Sequence, residues 1–189
     1  KIDSFYFIDD LFTLDEGLVY GFCEEMIKDN MNLVWGCSSK VNTVDYESLK
    51  MMKAAGCIQI DFGVEKASDK EMARLKKGTK VREVKETFKN CRELGIGTFC
   101  NMLINTPGET EADLRDTLNL LDEIQADIVT VNVFTPYPGT EIFIENCKKI
   151  PREDYSLFMT DLSLLPVTMP DKFRFAEHDV DLKAWSAEV

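Results

Sequence analysis

Strand-like and helix-like segments alternate along most of this chain, and that alternation limits the folds open to it. Strand-like runs fall at residues 4–8, 33–38, 57–62, 96–104 and 128–134. Helical patterns follow each, at 14–30, 45–55, 69–76 with 81–94, 111–125 and 141–149. Strands separated by helices imply parallel strands joined by crossovers. Capping boxes are expected at Thr13 with Glu16, Ser68 with Glu71, and Thr110 with Asp113. Gly56 and Gly95 stand where helices close before the next strand. From Pro151 the rhythm fails, so the chain divides into a barrel-like part, 1–150, and a tail, 151–189, that packs on or extends it.

The strand faces are uneven. In 57–62, Ile58, Ile60 and Phe62 alternate with Gln59 and Asp61; in 128–134, Val129, Val131 and Val133 alternate with Thr130 and Asn132. A doubly wound sheet is apolar on both faces. One apolar and one polar face fits an α/β, partial TIM-like (βα) barrel: about five parallel strands with outer helices and a polar interior. A closed barrel with a few satisfied polar core groups is the plainer alternative. Trp35 and the phenylalanine-rich strands are expected in the core, and His178, in the tail, on the surface.

Each strand runs into a polar or glycine-rich turn. The turns are Asp9-Asp10, Ser38-Ser39-Lys40, Gly63-Val64-Glu65, Asn105-Thr106-Pro107-Gly108-Glu109-Thr110, and Thr135-Pro136-Tyr137-Pro138-Gly139-Thr140. In a parallel barrel such turns converge on one rim, where chemistry is kept. Glycines there let backbone approach a ligand, and helix N-termini favour anionic groups.

Charge and cysteine content narrow the partners. Net charge is −12, from 34 acidic and 22 basic residues, which argues against nucleic acid as a main partner. No apolar run approaches the ~18 residues of a membrane helix. The six cysteines, 23, 37, 57, 91, 100 and 147, are never closer than nine residues, a spacing that matches no zinc or iron–sulfur pattern. They read as buried free thiols in a reducing, cytoplasmic compartment.

In this order and spacing, Phe-x-Asp-Asp-x-Phe-Thr (7–13), Gly-Val-Glu (63–65), Lys-Lys-Gly (76–78), Pro-Gly-Glu-Thr (107–110) and Pro-Tyr-Pro-Gly-Thr (136–140) resemble the radical S-adenosylmethionine (SAM) superfamily. The similarity is greatest to the subgroup that often carries a cobalamin-binding domain before the barrel, and it covers roughly 4–149. The resemblance implies a partial barrel of six βα units. The first unit carries a Cys-x-x-x-Cys-x-x-Cys loop for a 4Fe-4S cluster. That motif does not occur here, so the strands are expected to match the second to sixth units, with the first βα unit absent. Cobalamin would enter through an upstream domain.

The resemblance also implies cofactor-binding residues. Asp9 and Asp10 take the place of the loop that meets the amino group of SAM. Ser38 stands where some relatives have a carboxylate. Glu65 matches a Glu or Gln that approaches the ribose or methionine part, Lys77 a basic residue that meets the cofactor's carboxylate, and Asn101 a polar residue near the ribose. Two departures bear on SAM binding: Glu65-Lys66-Ala67-Ser68 replaces the usual Glu-Ser-Gly-Ser, and Asn105-Thr106 replaces Gly-Leu.

The expected function is that of the C-terminal portion of an enzyme that cleaves SAM reductively to cyclise, rearrange or methylate an organic substrate, the isolated piece being inactive. Two rivals stand beside it. One is a non-catalytic scaffold that associates, as a homodimer, through an exposed first strand. The other is an unrelated barrel enzyme using Asp9, Asp10 and Glu65 with Mg²⁺.

Overall fold

The structure, a computed structural model, describes residues 2–146 and 173–178. Its elements are β1 (Ser4–Phe7), α1 (Glu16–Lys28), β2 (Val34–Ser39), α2 (Tyr46–Ala54), β3 (Cys57–Glu65), α3 (Asp69–Arg74), α4 (Val81–Leu94), β4 (Gly97–Ile104), α5 (Glu111–Ile124), β5 (Ile128–Val133) and α6 (Glu141–Asn146). The strands form one sheet in the order β1-β2-β3-β4-β5, with β1 at an edge. The β1–β2 and β2–β3 pairs are parallel. This is the expected α/β arrangement, sequential strands each returned by a helix. Most of the 151–189 tail lies outside the described residues.

The chain divides into two compact units, Lys1–Asn101 with Leu120–Thr130, and Met102–Asn119 with Val131–Val189. In the first, α1 packs on α2 and α2 on α4. The sheet face turned to them is apolar. Trp35, Cys37, Cys57, Ile60 and Phe62 are buried there. Trp35 is the centre of an aromatic cluster, with the rings of Phe22, Phe7 and Phe12 at 5.3, 5.6 and 5.6 Å. Its indole N–H donates to Ala55 O at 2.9 Å, so the polar edge of the ring is satisfied where it is buried.

Two local expectations change. Thr13 does not cap α1. Asp15 does, accepting from Leu18 N at 3.0 Å. A short 3-10 turn, Phe12–Leu14, instead turns Thr13 inward, where its hydroxyl meets Ser39 Oγ and Thr43 Oγ1, both at 2.6 Å. An aspartate immediately before the helix is the better-placed acceptor. Also, β3 does not stop at Phe62 but runs on to Glu65. The Thr110–Asp113 box forms as expected, whereas at α3 Ser68 caps the Glu71 N–H and the Glu71 carboxylate returns to the Ser68 hydroxyl rather than to its backbone N–H.

Helix α2 carries a box of its own, Asp45 with Ser48: Ser48 N donates to Asp45 Oδ1, and Asp45 N to Ser48 Oγ, each at 2.8 Å. The Ser48 backbone N–H, foremost, holds the Asp45 carboxyl below its ordinary value. Asp45→Ala should therefore cost about 1 kcal/mol at neutral pH. Because the folded pKa is the lower one, this contribution is complete above the unfolded value near ~3.9 and is lost as pH falls through the folded value. Urea unfolding of both proteins at pH 7 and in acid should show the difference shrinking.

Candidate functional site

The site is built at the end of β3. Glu65 has φ +70°, and Lys66 N–H donates back to Val64 O at 2.9 Å. That is a three-residue γ-turn with positive φ, a rare and strained form. It lifts the Glu65 carboxylate out of the strand direction. Lys77 meets it, Nζ to Oε1 3.0 Å, with the two side chains only about one-fifth exposed. Gly63 lies beneath. A Cβ there would sit 3.0 Å from both Glu65 Oε1 and Lys77 Nζ, so any side chain would push the pair away.

Lys77 is placed by how α3 ends. Lys76 adopts φ +53°; its N–H reaches Ala73 O, and Lys77 N–H reaches Met72 O, at 3.0 and 2.9 Å. This is a Schellman end, with lysine where glycine is usual. The loop after β2 secures the same segment: Lys40 Nζ donates to Lys77 O at 2.9 Å and Asn42 Nδ2 to Gly78 O at 3.0 Å.

The polar sheet face of the first unit carries more groups. Tyr6, Gly36 and Gln59 align across β1, β2 and β3, as do Ser38 and Asp61 in the next row. The Tyr6 ring lies over Gly36, where a Cβ would come within 2.9 Å of it. Tyr6 Oη and Ser38 Oγ are hydrogen-bonded at 3.1 Å, and Gln59 Nε2 donates to Asp61 Oδ1 at 2.9 Å. Burial, foremost, and then Asp61 push the Tyr6 phenol up to about 12, so it stays a neutral donor. Asn101 is tied down, its Nδ2 at 3.5 Å from Phe62 O and its Oδ1 accepting from Thr130 Oγ1. Asp9 and Asp10 follow β1, exposed, and their side chains make no hydrogen bond or ion pair with the described residues.

Of the six expected site residues, then, Glu65 and Lys77 come into direct contact. Ser38 and Asn101 lie in hydrogen-bonded positions on the sheet, and Asp9 and Asp10 stand free at a strand end. Sequence reasoning passed over Tyr6, read as part of an apolar Phe-Tyr-Phe run. The period-2 alternation of Phe5 and Phe7 around it was the available signal.

The second unit holds the turn after β4. Asn105 has φ +64°, a left-handed conformation that asparagine tolerates better than most residues. This explains the asparagine at a position where glycine is usual. Its buried amide also bonds the segment at 173–176: Nδ2 donates to Phe173 O at 2.9 Å, and Oδ1 accepts from Phe175 N and Ala176 N at 2.9 and 3.3 Å. Glu109 is fully buried. It accepts from Asn105 N at 3.1 Å and pairs with His178 Nε2 at 2.9 Å. His178 is thus buried, contrary to the surface position expected for it, because the chain returns it to this turn.

Five cysteines, 23, 37, 57, 91 and 100, are buried free thiols; Cys147 lies outside the described residues. Burial, foremost, pushes Cys23, Cys91 and Cys100 up to about 12. The hydrogen bond with Cys57, followed by burial, raises Cys37 further. Protonated thiols are poor metal ligands. Among the described residues no group of three His, Cys, Asp or Glu side chains could hold a metal ion. The described residues therefore do not fit an iron–sulfur cluster, and Asp9, Asp10 and Glu65 do not converge on a Mg²⁺ site. The pair at the end of β3, a cation and a carboxylate over Gly63, has the chemistry to meet a zwitterionic molecule.

A family model described as the radical SAM superfamily matches residues 5–121. The chain is 30% identical over 161 residues to the anaerobic magnesium-protoporphyrin IX monomethyl ester cyclase of Cereibacter sphaeroides, covering 83% of this chain and 26% of that protein. It is 28% identical over 142 residues to an uncharacterized methyltransferase of Pyrococcus horikoshii, covering 75% and 31%. Among solved structures, the fold is similar to the radical S-adenosylmethionine methyltransferase TsrM of Kitasatospora setae with cobalamin and a 4Fe-4S cluster bound. There the TM-score is 0.70 at 20% identity, covering 77% of this chain and 30% of that one. The chain spans about a quarter to a third of the length of these relatives.

Proposed function

The chain belongs to the radical SAM superfamily, and from that premise we propose that it forms the SAM-holding part of an enzyme that starts radical chemistry on an organic small molecule. The observation that carries the proposal is the Glu65–Lys77 pair over Gly63, held on a strained turn at a strand end. Strain of that kind collects at ligand sites.

In this reading the Lys77 ammonium binds the cofactor's carboxylate and Glu65 its ribose or methionine part. Asp9 and Asp10 accept from its amino group. Ser38 and Asn101 offer neutral polar contacts, Asn101 towards the ribose. When bound, SAM supplies a carbon radical once an electron reaches it from a 4Fe-4S cluster, whose ligands are not among these residues. Tyr6, Ser38, Gln59 and Asp61 present polar groups to a substrate on the same sheet face.

The cyclase relative supports ring closure as the outcome. The methyltransferase relative and the cobalamin-bound neighbour support methylation, with cobalamin as a further cofactor. No helix among the described residues is long and apolar enough to cross a membrane, and five free thiols favour a reducing, cytoplasmic setting. The position of β1 at the sheet edge leaves room for pairing with a second copy.

The test is anaerobic reconstitution of the full-length protein with iron and sulfide, followed by assay for 5′-deoxyadenosine. Cleavage is expected. Lys77→Ala should weaken SAM binding about 10- to 100-fold, the loss of one charge-assisted contact. A fully loaded wild-type protein that forms no 5′-deoxyadenosine would overturn the proposal.

A further inference from the structure

Five non-glycine residues among those described have positive φ: Asn30, Glu65, Lys76, Asn105 and Gln125. Asn30, Lys76 and Gln125 follow the ends of α1, α3 and α5, where a left-handed residue closes a helix. Asn105 is an asparagine, which tolerates the conformation. Glu65 alone has neither reason. It ends a strand, and its side chain gains nothing from a left-handed backbone. Such a conformation persists only where its surroundings enforce it.

The enforcing contact lies one residue on. The Lys66 side chain is 1% exposed, and its Nζ is 3.3 Å from Glu71 Oε1, itself 2% exposed. Glu71 stands in the first turn of α3, where its N–H donates to Ser68 Oγ at 3.2 Å and its Oε2 accepts from that hydroxyl at 3.3 Å. The start of α3 therefore holds Lys66, and the end of the same short helix presents Lys77. Both partners of the Glu65–Lys77 pair are referenced to one six-residue helix. A buried ion pair is a poor source of net stability, but it is strict about geometry, because neither charge can relax into water.

We propose that the buried Lys66–Glu71 pair is a clamp that locks the left-handed turn at Glu65 and so aims its carboxylate at Lys77. Lys66 and Glu71 are positioning residues: they act through Glu65 and touch no ligand. The departure from Glu-Ser-Gly-Ser to Glu65-Lys66-Ala67-Ser68 is then the installation of this clamp. Its use in holding a cofactor rests on the function proposed above.

The experiment is NMR on the labelled chain. In the wild type, Glu65 should give the strong intraresidue amide–Hα NOE of a positive φ, and the Lys66 amide, bonded to Val64 O, should exchange slowly. The double variant Lys66→Met/Glu71→Leu removes both charges of the pair together, so that neither is left facing the empty place of the other. It should weaken the Glu65 NOE to that of an ordinary strand residue and speed Lys66 amide exchange at least about tenfold, with the Ile60 and Cys100 amides unchanged. Glu71→Gln, which keeps the side chain's size, should also speed Lys66 exchange and serves if the double variant does not fold. A merely structural pair would lower protection everywhere alike and leave the Glu65 NOE in place. That result, or an unchanged Lys66 amide in either folded variant, overturns the clamp. Separately, S-adenosylhomocysteine added to the wild type should shift Glu65 Cδ and Lys77 Nζ. No shift there, with the clamp signals intact, overturns the cofactor use and leaves the clamp standing.

Discussion

Trp35→Ala should destabilise the protein by about 3–5 kcal/mol, the range for emptying a large aromatic site in a core. Trp35 is 1% exposed and touches rings contributed by β1, α1 and the turn between them. Its loss leaves a cavity at the junction of three chain segments and strips Ala55 O of its donor. Trp35→Phe keeps most of the ring packing and loses the indole bond, so about 1–2 kcal/mol is expected there. Urea unfolding followed by circular dichroism measures both, since the substitutions remove one of the two tryptophans and would distort a fluorescence signal. A cost below about 1.5 kcal/mol for the alanine variant would mean that the cluster closes around the gap.

Asn105→Ala should have the next largest effect, confined to the second unit. Three backbone groups, Phe173 O, Phe175 N and Ala176 N, lose their partner, and alanine, which tolerates a left-handed backbone less well than asparagine, is left at φ +64°. Three lost bonds at about 1 kcal/mol each, with left-handed strain of similar size, predict roughly 4 kcal/mol off the local opening free energy. Hydrogen exchange at the Phe175 and Ala176 amides reads this directly. Asn105→Gly relieves the strain but not the lost bonds and should fall between the two. If Asn105→Gly matches the wild type, the side chain is not what holds residues 173–176.

These two cases show what could be read from sequence. The alternation of strands and helices was legible because periods of 2 and 3.6 are written locally, and Trp35 among phenylalanines was legible as core. Glu65 and Lys77 were singled out by resemblance, each as a contact to a cofactor; their contact with one another comes from the structure. What escaped depends on distant chain. Asn105 and Asn30 look alike in sequence, yet only Asn105 receives a segment some seventy residues away. His178 looked like tail. Thr13 had the letters of a capping residue, but Asp15, two residues on, was better placed. Lys66 read as a departure from a pattern, since no local signal says that a lysine will be sealed against a glutamate five residues ahead.

The sealed thiols have a use of their own. Cys23 in α1, Cys37 in β2, Cys57 in β3, Cys91 in α4 and Cys100 in β4 are each fully buried. A thiol in that state reacts with an alkylating reagent only after its element opens. The chain thus carries a distributed set of natural stopwatches, spaced from its first helix to its fourth strand. Timed alkylation read by mass spectrometry would rank the order in which those elements let go, without a single substitution.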